Sequence, residues 1–211
     1  MNKVLKGKFY ALEGGEATGK TTTSKALKDL LTKDGYEVII TREPGGIPSA
    51  ESIRDNIMSY TVDSKTELLL YLASRREHLV KKVIPALEEG KIVICDRFYL
   101  SSLAYQGCGR ELGIETVREL NDFVCEGILP ALNILIDIPV QVSKQRKAKV
   151  KDINRLDLEN DSFHNRVREG YRLLVQDTRN NIVVVDGTQE KEDMINEIYH
   201  IIKNDLDKSN I

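Results

Sequence analysis

From Gly14 to Thr21 the chain reads GGEATGKT, which fits G-x-x-x-x-G-K-[ST] with Gly14, Gly19, Lys20 and Thr21 at the fixed places. No other stretch restricts the fold as much. Such a loop needs a strand running in and a helix running out. Its glycines let backbone N–H groups turn inward around phosphate oxygens. The helix N-terminus adds a partial positive charge of about half a unit. Both flanks are present: the apolar run KFYALE (8–13) precedes the loop and a helical pattern over 20–34 follows it. The reading is a nucleotide cradle formed by Gly14, Gly15, Glu16, Ala17, Thr18, Gly19, Lys20, Thr21 and Thr22. Lys20 would bridge the β- and γ-phosphates of ATP, and the Thr21 hydroxyl would ligate Mg²⁺. The competing reading is an ordinary glycine turn, and the flanking elements count against it. One residue is unexpected: Glu16 puts a carboxylate into a loop built to attract anions.

The rest of the chain supplies the fold that such a loop requires. EVIIT (37–41), KIVICD (91–96), LNILIDI (132–138) and NIVVVDG (181–187) are short, β-branched and apolar throughout, like 8–13. Strands without alternation are buried on both faces, as in a parallel sheet. Helical patterns between them, at about 20–34, 50–59, 64–89, 114–126, 139–147, 157–178 and 188–207, predict an α/β fold: a three-layer, doubly wound, parallel five-stranded sheet. Ligands of such sheets lie beyond the strand C-termini, which is where Glu13, Arg42, Asp96, Asp137 and Asp186 would gather. The charge-dense stretch RKAKVKDINRLD (146–157) interrupts this pattern. It reads as a small mobile lid inserted into a single domain spanning 1–211, with a plain solvated helix face as the alternative.

Composition narrows the function. With 211 residues, 41% of them hydrophobic, the chain can bury roughly 70% of its unfolded surface without staples. The net charge of −2 is no footprint for nucleic acid, so any anionic substrate must be met by locally placed cations. Three cysteines without a CxxC pair fit small buried side chains in a reduced, cytoplasmic protein. The N-terminal apolar run is too short for a signal peptide, no run reaches the length of a membrane span, and the three histidines lack metal-ligand spacing.

Asp96, ending an apolar strand in IVICDRF, stands where a carboxylate on the Mg²⁺ side belongs in phosphate-loop enzymes. This leaves ATPase, GTPase and small-molecule kinase open, although no N-K-x-D-like string offers a guanine site. Arginines recur where the sheet would bring them to one crevice: Arg42, Arg54, Arg75, Arg76 and Arg97. Their planar forks suit phosphate, yet each alone also fits a surface charge. Leu68, Leu72, Leu79 and Val83 mark the core side of the helix at 64–89. Tyr71 and Arg75, four apart on a neighbouring face, could stack a base and donate to its carbonyl, or form a simple surface pair.

At DRFYLSSLAYQG (96–107) the chain resembles the D-R-[YF]-x-x-S-x-x-A-[YF]-Q signature of thymidylate kinases. TREPGG, ELLLYLASRREHL, NRLDLEN and FHNRVREGY extend the likeness over nearly the whole chain, in the family's order. The resemblance implies transfer of the ATP γ-phosphoryl group to dTMP, giving dTDP for deoxynucleotide (dTTP) synthesis. It implies that Tyr71 stacks on thymine, that Arg75 and Gln106 hydrogen-bond the base, and that Tyr105 presses under the deoxyribose. Arg42, Arg54 and Arg97 would hold the acceptor phosphate beside Ser101 and Ser102. Glu16 would accept from the sugar 3′-hydroxyl, which answers the puzzle of its place in the loop. Cytosine carries an amino group where thymine has its 4-carbonyl, and sites built on such pairing discriminate by about 10⁴–10⁵.

The resemblance also implies a homodimer and a cis Glu43–Pro44 bond that aims Arg42. The interface is expected on the helices at 64–89 and 99–126, whose apolar content is high for one-sided burial. The loop itself lacks an arginine, so the cation on the transferring phosphoryl group must come from the lid, where lysines (Lys147, Lys149, Lys151) lie between Arg146 and Arg155. Arg155 is the expected candidate, with Lys149 behind it. The catalytic set is thus Lys20, Arg42, Arg97, Arg155 and Glu16, with Thr21 and Asp96 for the metal. Adenine contacts are assigned to Gly187–Gln189. The alternatives are another nucleoside or nucleotide kinase on this scaffold, acting on dUMP or a deoxynucleoside, a regulatory phosphate-loop ATPase, and an inactive nucleotide-binding scaffold.

Overall fold

The computed structural model of the chain describes residues 5–148 and 155–209. Five strands, β1 (Lys8–Glu13), β2 (Val38–Arg42), β3 (Ile92–Asp96), β4 (Leu132–Asp137) and β5 (Ile182–Asp186), form one parallel sheet in the order β2-β3-β1-β4-β5. Each lies within a residue or so of its predicted span. The period of two decides what each face buries. Phe9, Ala11, Val93, Cys95 and Leu135 face one core, while Tyr10, Leu12, Ile92, Ile94, Ile134 and Ile136 face the other. Burial on both faces is why no polar alternation interrupts these strands.

The second core is closed by α1 (Lys20–Lys33) through Leu27 and Leu31, and by α9 (Lys191–Ser209) through Met194, Ile198, Ile202 and Leu206. The remaining helices are α2 (Pro48–Ser59), α3 (Ser64–His78), α4 (Ile84–Glu88), α5 (Tyr99–Ser102), α6 (Ile114–Cys125), α7 (Val140–Lys147) and α8 (Asp161–Gln176). Of these, α3, α4, α5, α6 and α8 supply the first core. Proline opens α2 at a position where its missing N–H costs nothing. The Asp63 carboxylate caps α3 by accepting from the N–H groups of Lys65 and Thr66. None of the described helices is long and apolar enough to cross a membrane.

Two wide helical turns depart from the sequence expectation. The helix expected over 64–89 widens to π geometry at Leu79–Val83, just ahead of Pro85. Proline has no N–H for the carbonyl four residues back and its ring crowds that carbonyl, so a wider turn ahead of it relieves both. The second wide turn, Leu103–Gly109, continues α5, so the helix expected over 99–126 is instead α5 with this turn, a break at 110–113, and α6 from Ile114. The helix expected over 157–178 is instead a short 3₁₀ turn at Arg155–Leu158 followed by α8, whose N-terminus is capped by the Asn160 side chain. Of the expected lid, residues 149–154, including Lys149 and Lys151, lie outside the described residues.

The wide turn at Leu103–Gly109 packs against α8 at close range. A methyl group on Gly170 would stand 2.9 Å from Cys108 Sγ, and one on Gly109 would stand 2.8 Å from the Phe163 ring. Only glycine permits that approach, and it brings Tyr171 of α8 to the end of β1.

Candidate active site

Parallel register aligns the strand ends. Leu12 and Arg42 both stand opposite Asp96, so the loop after β1, the loop after β2 and the end of β3 meet at one edge. In the phosphate loop, Gly14 and Gly19 take positive φ of 136° and 95°. A Cβ on Gly14 would also meet the Ile136 carbonyl oxygen at 2.4 Å, so glycine is required there twice over. Lys20 folds back over the loop. Its ammonium donates to the Gly15 carbonyl (2.6 Å), the Gly14 carbonyl (3.3 Å) and Thr18 Oγ1 (3.1 Å). Burial and the neighbouring Arg97 charge push its pKa down to about 8. A polyphosphate delivered into this loop would add to the opposite charge of Asp96, Glu16 and Glu13 and raise the Lys20 pKa again.

Thr21 Oγ1 donates to Asp96 Oδ2 at 2.5 Å, which joins the loop to β3. A hydroxyl and a carboxylate side by side are hard oxygen donors. They suit Mg²⁺, which draws its other ligands from phosphate and water.

A cavity of about 450 Å³ opens from this loop. Its walls include Glu16, Ala17, Thr18, Gly19, Lys20, Thr21 and Thr22, and, across from them, Arg42, Arg54, Tyr71, Arg75, Arg97, Ser101, Ser102, Tyr105 and Gln106. Every acceptor-side residue predicted from the sequence therefore meets the phosphate loop in one space.

Arg97 holds the two sides together. Its backbone is left-handed, with φ 68°. The guanidinium donates to Gly14 O (2.6 Å), Gly15 O (3.3 Å), Ser101 Oγ (3.3 Å) and Glu16 Oε1 (2.7 Å). The Tyr105 hydroxyl also donates to Glu16 Oε1, at 3.0 Å, and the Arg97 guanidinium lies over the Tyr105 ring. Burial alone would raise the Glu16 carboxyl, but the Arg97 and Lys20 charges and the Tyr105 hydrogen bond bring it down to about 2. Glu16 is thus ionised and its Oε1 is occupied, while Oε2 has no hydrogen-bond partner among the described residues.

Arg75 is a buried strut. It donates from Nε to Glu43 Oε2 (2.7 Å), from Nη1 to Ser102 Oγ (3.0 Å) and Asn121 Oδ1, and from Nη2 to the Phe98 carbonyl (2.8 Å). Five guanidinium N–H groups less these four leaves one on Nη2 for the cavity that Arg75 lines. Glu43 accepts from Arg75 and also meets His78, whose other nitrogen meets Thr41 Oγ1. His78 is thereby a satisfied core histidine. The Glu43–Pro44 bond is cis. Arg42 pairs with Glu51 at the exposed rim, and Arg54 donates to the Pro44 carbonyl.

The lid cations divide. Lys147 pairs with Asp157 at 2.8 Å and lines the cavity. Arg155 lies away from the phosphate loop: its guanidinium donates to Glu67 Oε2 and to the Ile57 carbonyl. The turn at Gly187–Gln189 is closed by Asp186, which accepts from the Thr188 N–H and hydroxyl, and it does not line this cavity.

Three residues complete the site: Glu13, which the sequence placed at the sheet edge without a role, and Tyr171 and Glu67, which the pattern did not mark. Glu13, fully buried, accepts from Ser101, Tyr171 and the Phe98 N–H, and burial raises its pKa despite them. Tyr171 reaches it from α8. Glu67 accepts from Gln106, Arg110 and Arg155. A signal existed for Glu67, since it precedes Tyr71 and Arg75 at the same spacing of four.

Comparisons with known proteins follow the same line. The family model described as Thymidylate kinase matches residues 12–198. The chain is 48% identical over 200 residues to a protein of Staphylococcus haemolyticus named thymidylate kinase, covering 94% of this chain and 98% of that one. Relatives of the same name in Geobacillus thermodenitrificans (44% over 210 residues, 97% and 93% covered) and Clostridium novyi (45% over 203 residues, 94% and 99% covered) are similar over the same extent.

Glu16 makes a checkable contribution to stability. Its folded pKa of about 2 lies below the ordinary 4.5, so it stabilises the fold above that value and loses the contribution as pH falls toward 2. In urea denaturation, the stability advantage of wild type over Glu16→Gln should shrink by about 2 kcal/mol between pH 5 and pH 3. A difference that does not vary with pH would contradict the charge network.

Proposed function

Because the chain belongs to the thymidylate kinase family, we propose that the cavity at its sheet edge is where the γ-phosphoryl group of ATP passes to dTMP, giving dTDP and ADP. The observation that carries this reading is that one cavity is lined both by the phosphate loop and by all the acceptor-side residues. A phosphate oxygen of dTMP attacks Pγ as the bond from Pγ to the bridging oxygen of ADP breaks. That oxygen is already ionised, so the step needs no protein base. The difficulty is charge. At an effective dielectric of about 20, each pair of like unit charges 4 Å apart costs ~4 kcal/mol. Lys20 at the loop and Arg42, Arg54 and Arg97 around the acceptor phosphate offset that repulsion and hold the reactants in line. Thr21 and Asp96 would hold Mg²⁺, which neutralises the β- and γ-phosphate oxygens when bound.

On the nucleoside side, Tyr71 offers its ring to thymine and the remaining Arg75 N–H offers a donor to O4. Gln106 reads N3. The free oxygen of Glu16 accepts from the 3′-hydroxyl, while Tyr105, hydrogen-bonded to the same carboxylate, closes the space under the deoxyribose. Gly187–Gln189 would reach the adenine from outside the acceptor cavity. From the lid, Arg155 would serve the transferring phosphoryl group after leaving Glu67, and Lys147 is the alternative already at the cavity wall. The three free cysteines suit a reduced cytoplasmic compartment.

A second copy of the chain is the proposed partner. Phe123 is 81% exposed, and Leu69, Val80 and Leu120 are exposed beside it on α3, its widened continuation and α6. Apolar surface of this kind marks an interaction site. The opposite side of α6 supplies Asn121 to Arg75, so an interface there would back the base-reading arginine.

A coupled assay should find ADP release that depends on dTMP, with little turnover without it. Substantial acceptor-independent hydrolysis, or preference for thymidine over dTMP, would overturn the reading. Turnover of Arg155→Ala within a few-fold of wild type would assign the lid role to Lys147. Light scattering should give twice the chain mass of 23.9 kDa for wild type and a single chain for Phe123→Glu. A monomeric wild type would contradict the partner assignment.

A further inference from the structure

Glu67 stands in the first turn of α3, one turn ahead of Tyr71 and two ahead of Arg75. It is buried. Oε1 accepts from Gln106 Nε2 at 3.0 Å and from Arg110 Nε at 3.1 Å, and Oε2 accepts from Arg110 Nη2 and Arg155 Nη2. Burial would raise this carboxyl, but the hydrogen bonds from Arg110, Gln106 and Arg155 bring it below its ordinary value, so it is ionised near neutrality.

An ionised carboxylate can only accept hydrogen bonds. Of the two ends of the Gln106 amide, only the NH₂ group can therefore face Glu67, and the opposite orientation would set two acceptors against each other. The amide oxygen is left to the cavity that Gln106 lines. It has no hydrogen-bond partner among the described residues and is not a buried orphan. The base thus meets an acceptor at Gln106 and, at Arg75, a donor. Thymine and uracil present N3–H as a donor beside O4 as an acceptor. Cytosine presents N3 as an acceptor beside an amino group, which opposes both.

We propose that Glu67 is a positioning residue that sets base specificity by locking the Gln106 amide with its oxygen toward N3 of the base. It touches no substrate atom. Glu67 selects against cytosine by denying Gln106 the flipped orientation in which its NH₂ would meet cytosine N3. This inference rests on the reading of dTMP as acceptor.

The test compares kcat/KM for dTMP, dUMP and dCMP in wild type, Glu67→Gln and Glu67→Asp. A glutamine at 67 can donate as well as accept, so Gln106 becomes free to turn over. In Glu67→Gln, dCMP use relative to dTMP should rise about ten-fold or more, while dUMP use relative to dTMP stays constant, because dUMP has the same hydrogen-bonding edge as dTMP. Glu67→Asp, still an acceptor only, should keep the wild-type preference against dCMP. In a Gln106→Leu background, which has no amide to flip, Glu67→Gln should add no further relaxation.

A merely structural Glu67 would lower all three values together and leave both ratios unchanged. That result, or a relaxation that persists in Gln106→Leu, would overturn the proposal. Calorimetric binding of dCMP and dTMP gives the same ratio without turnover. Failure of the wild type itself to use dTMP would instead overturn the acceptor reading and this inference with it.

Discussion

The guanidinium of Arg97 is the fixed point of the cleft. Arg97 directly follows the last residue of the inner strand β3 and donates to two carbonyls of the phosphate loop and to the Glu16 carboxylate, with Ser101 beside it. Parallel register puts that strand end level with the start of the loop, so no long connection is needed to bring the two halves together. The left-handed backbone at Arg97 turns the chain away from the sheet into α5. Without this cation, a carboxylate in the phosphate loop would repel the anions the loop attracts. With it, Glu16 becomes a fixed acceptor between the nucleotide side and the acceptor side.

Charge in the cleft is arranged in hydrogen-bonded groups. Each buried carboxylate near the cavity is met by donors: Glu13 by Ser101 and Tyr171, Glu43 by Arg75 and His78, Glu67 by Arg110, Arg155 and Gln106. Where the lost partner is the counter-ion of a buried charge, as Arg75 is for Glu43, the cost is about 3–5 kcal/mol. These contacts fix side chains before any ligand arrives, which is what reading a base and aligning two phosphates requires. A net charge of −2 is therefore compatible with a site that gathers anions, because around the cavity the cations Lys20, Arg42, Arg54, Arg75, Arg97 and Lys147 outnumber the carboxylates Glu16, Glu43 and Asp96.

Much of this was legible in the sequence. The five strands could be read because burial on both faces leaves them apolar throughout, and the phosphate loop because its glycines and lysine have fixed spacing. Arg42 and Arg97 could be named because the strand ends where they stand converge, and Arg54 and Arg75 because their helices follow β2, Arg75 within a motif of the family. What could not be read depends on contacts made across long separations. The role of Glu67 comes from residues 106, 110 and 155, and that of Glu13 from residues 98, 101 and 171. The wide geometry at Leu103–Gly109 goes with close packing, of Gly109 against α8 and of Gly107 against the start of α6, which no local pattern shows. Arg155 illustrates the same limit from the other side. Its charge marked it for a phosphate, yet the fold sets it on a carboxylate.

A crystal structure with dTMP and a non-hydrolysable ATP analogue should show both substrates in the one preformed cleft at the sheet edge. Thymine should lie against Tyr71, with O4 on Arg75 and N3 on Gln106. The dTMP phosphate should sit among Arg42, Arg54 and Arg97, and the triphosphate in the loop at Lys20. A dTMP bound outside this cavity, or with its base turned away from Tyr71 and Arg75, would contradict this arrangement.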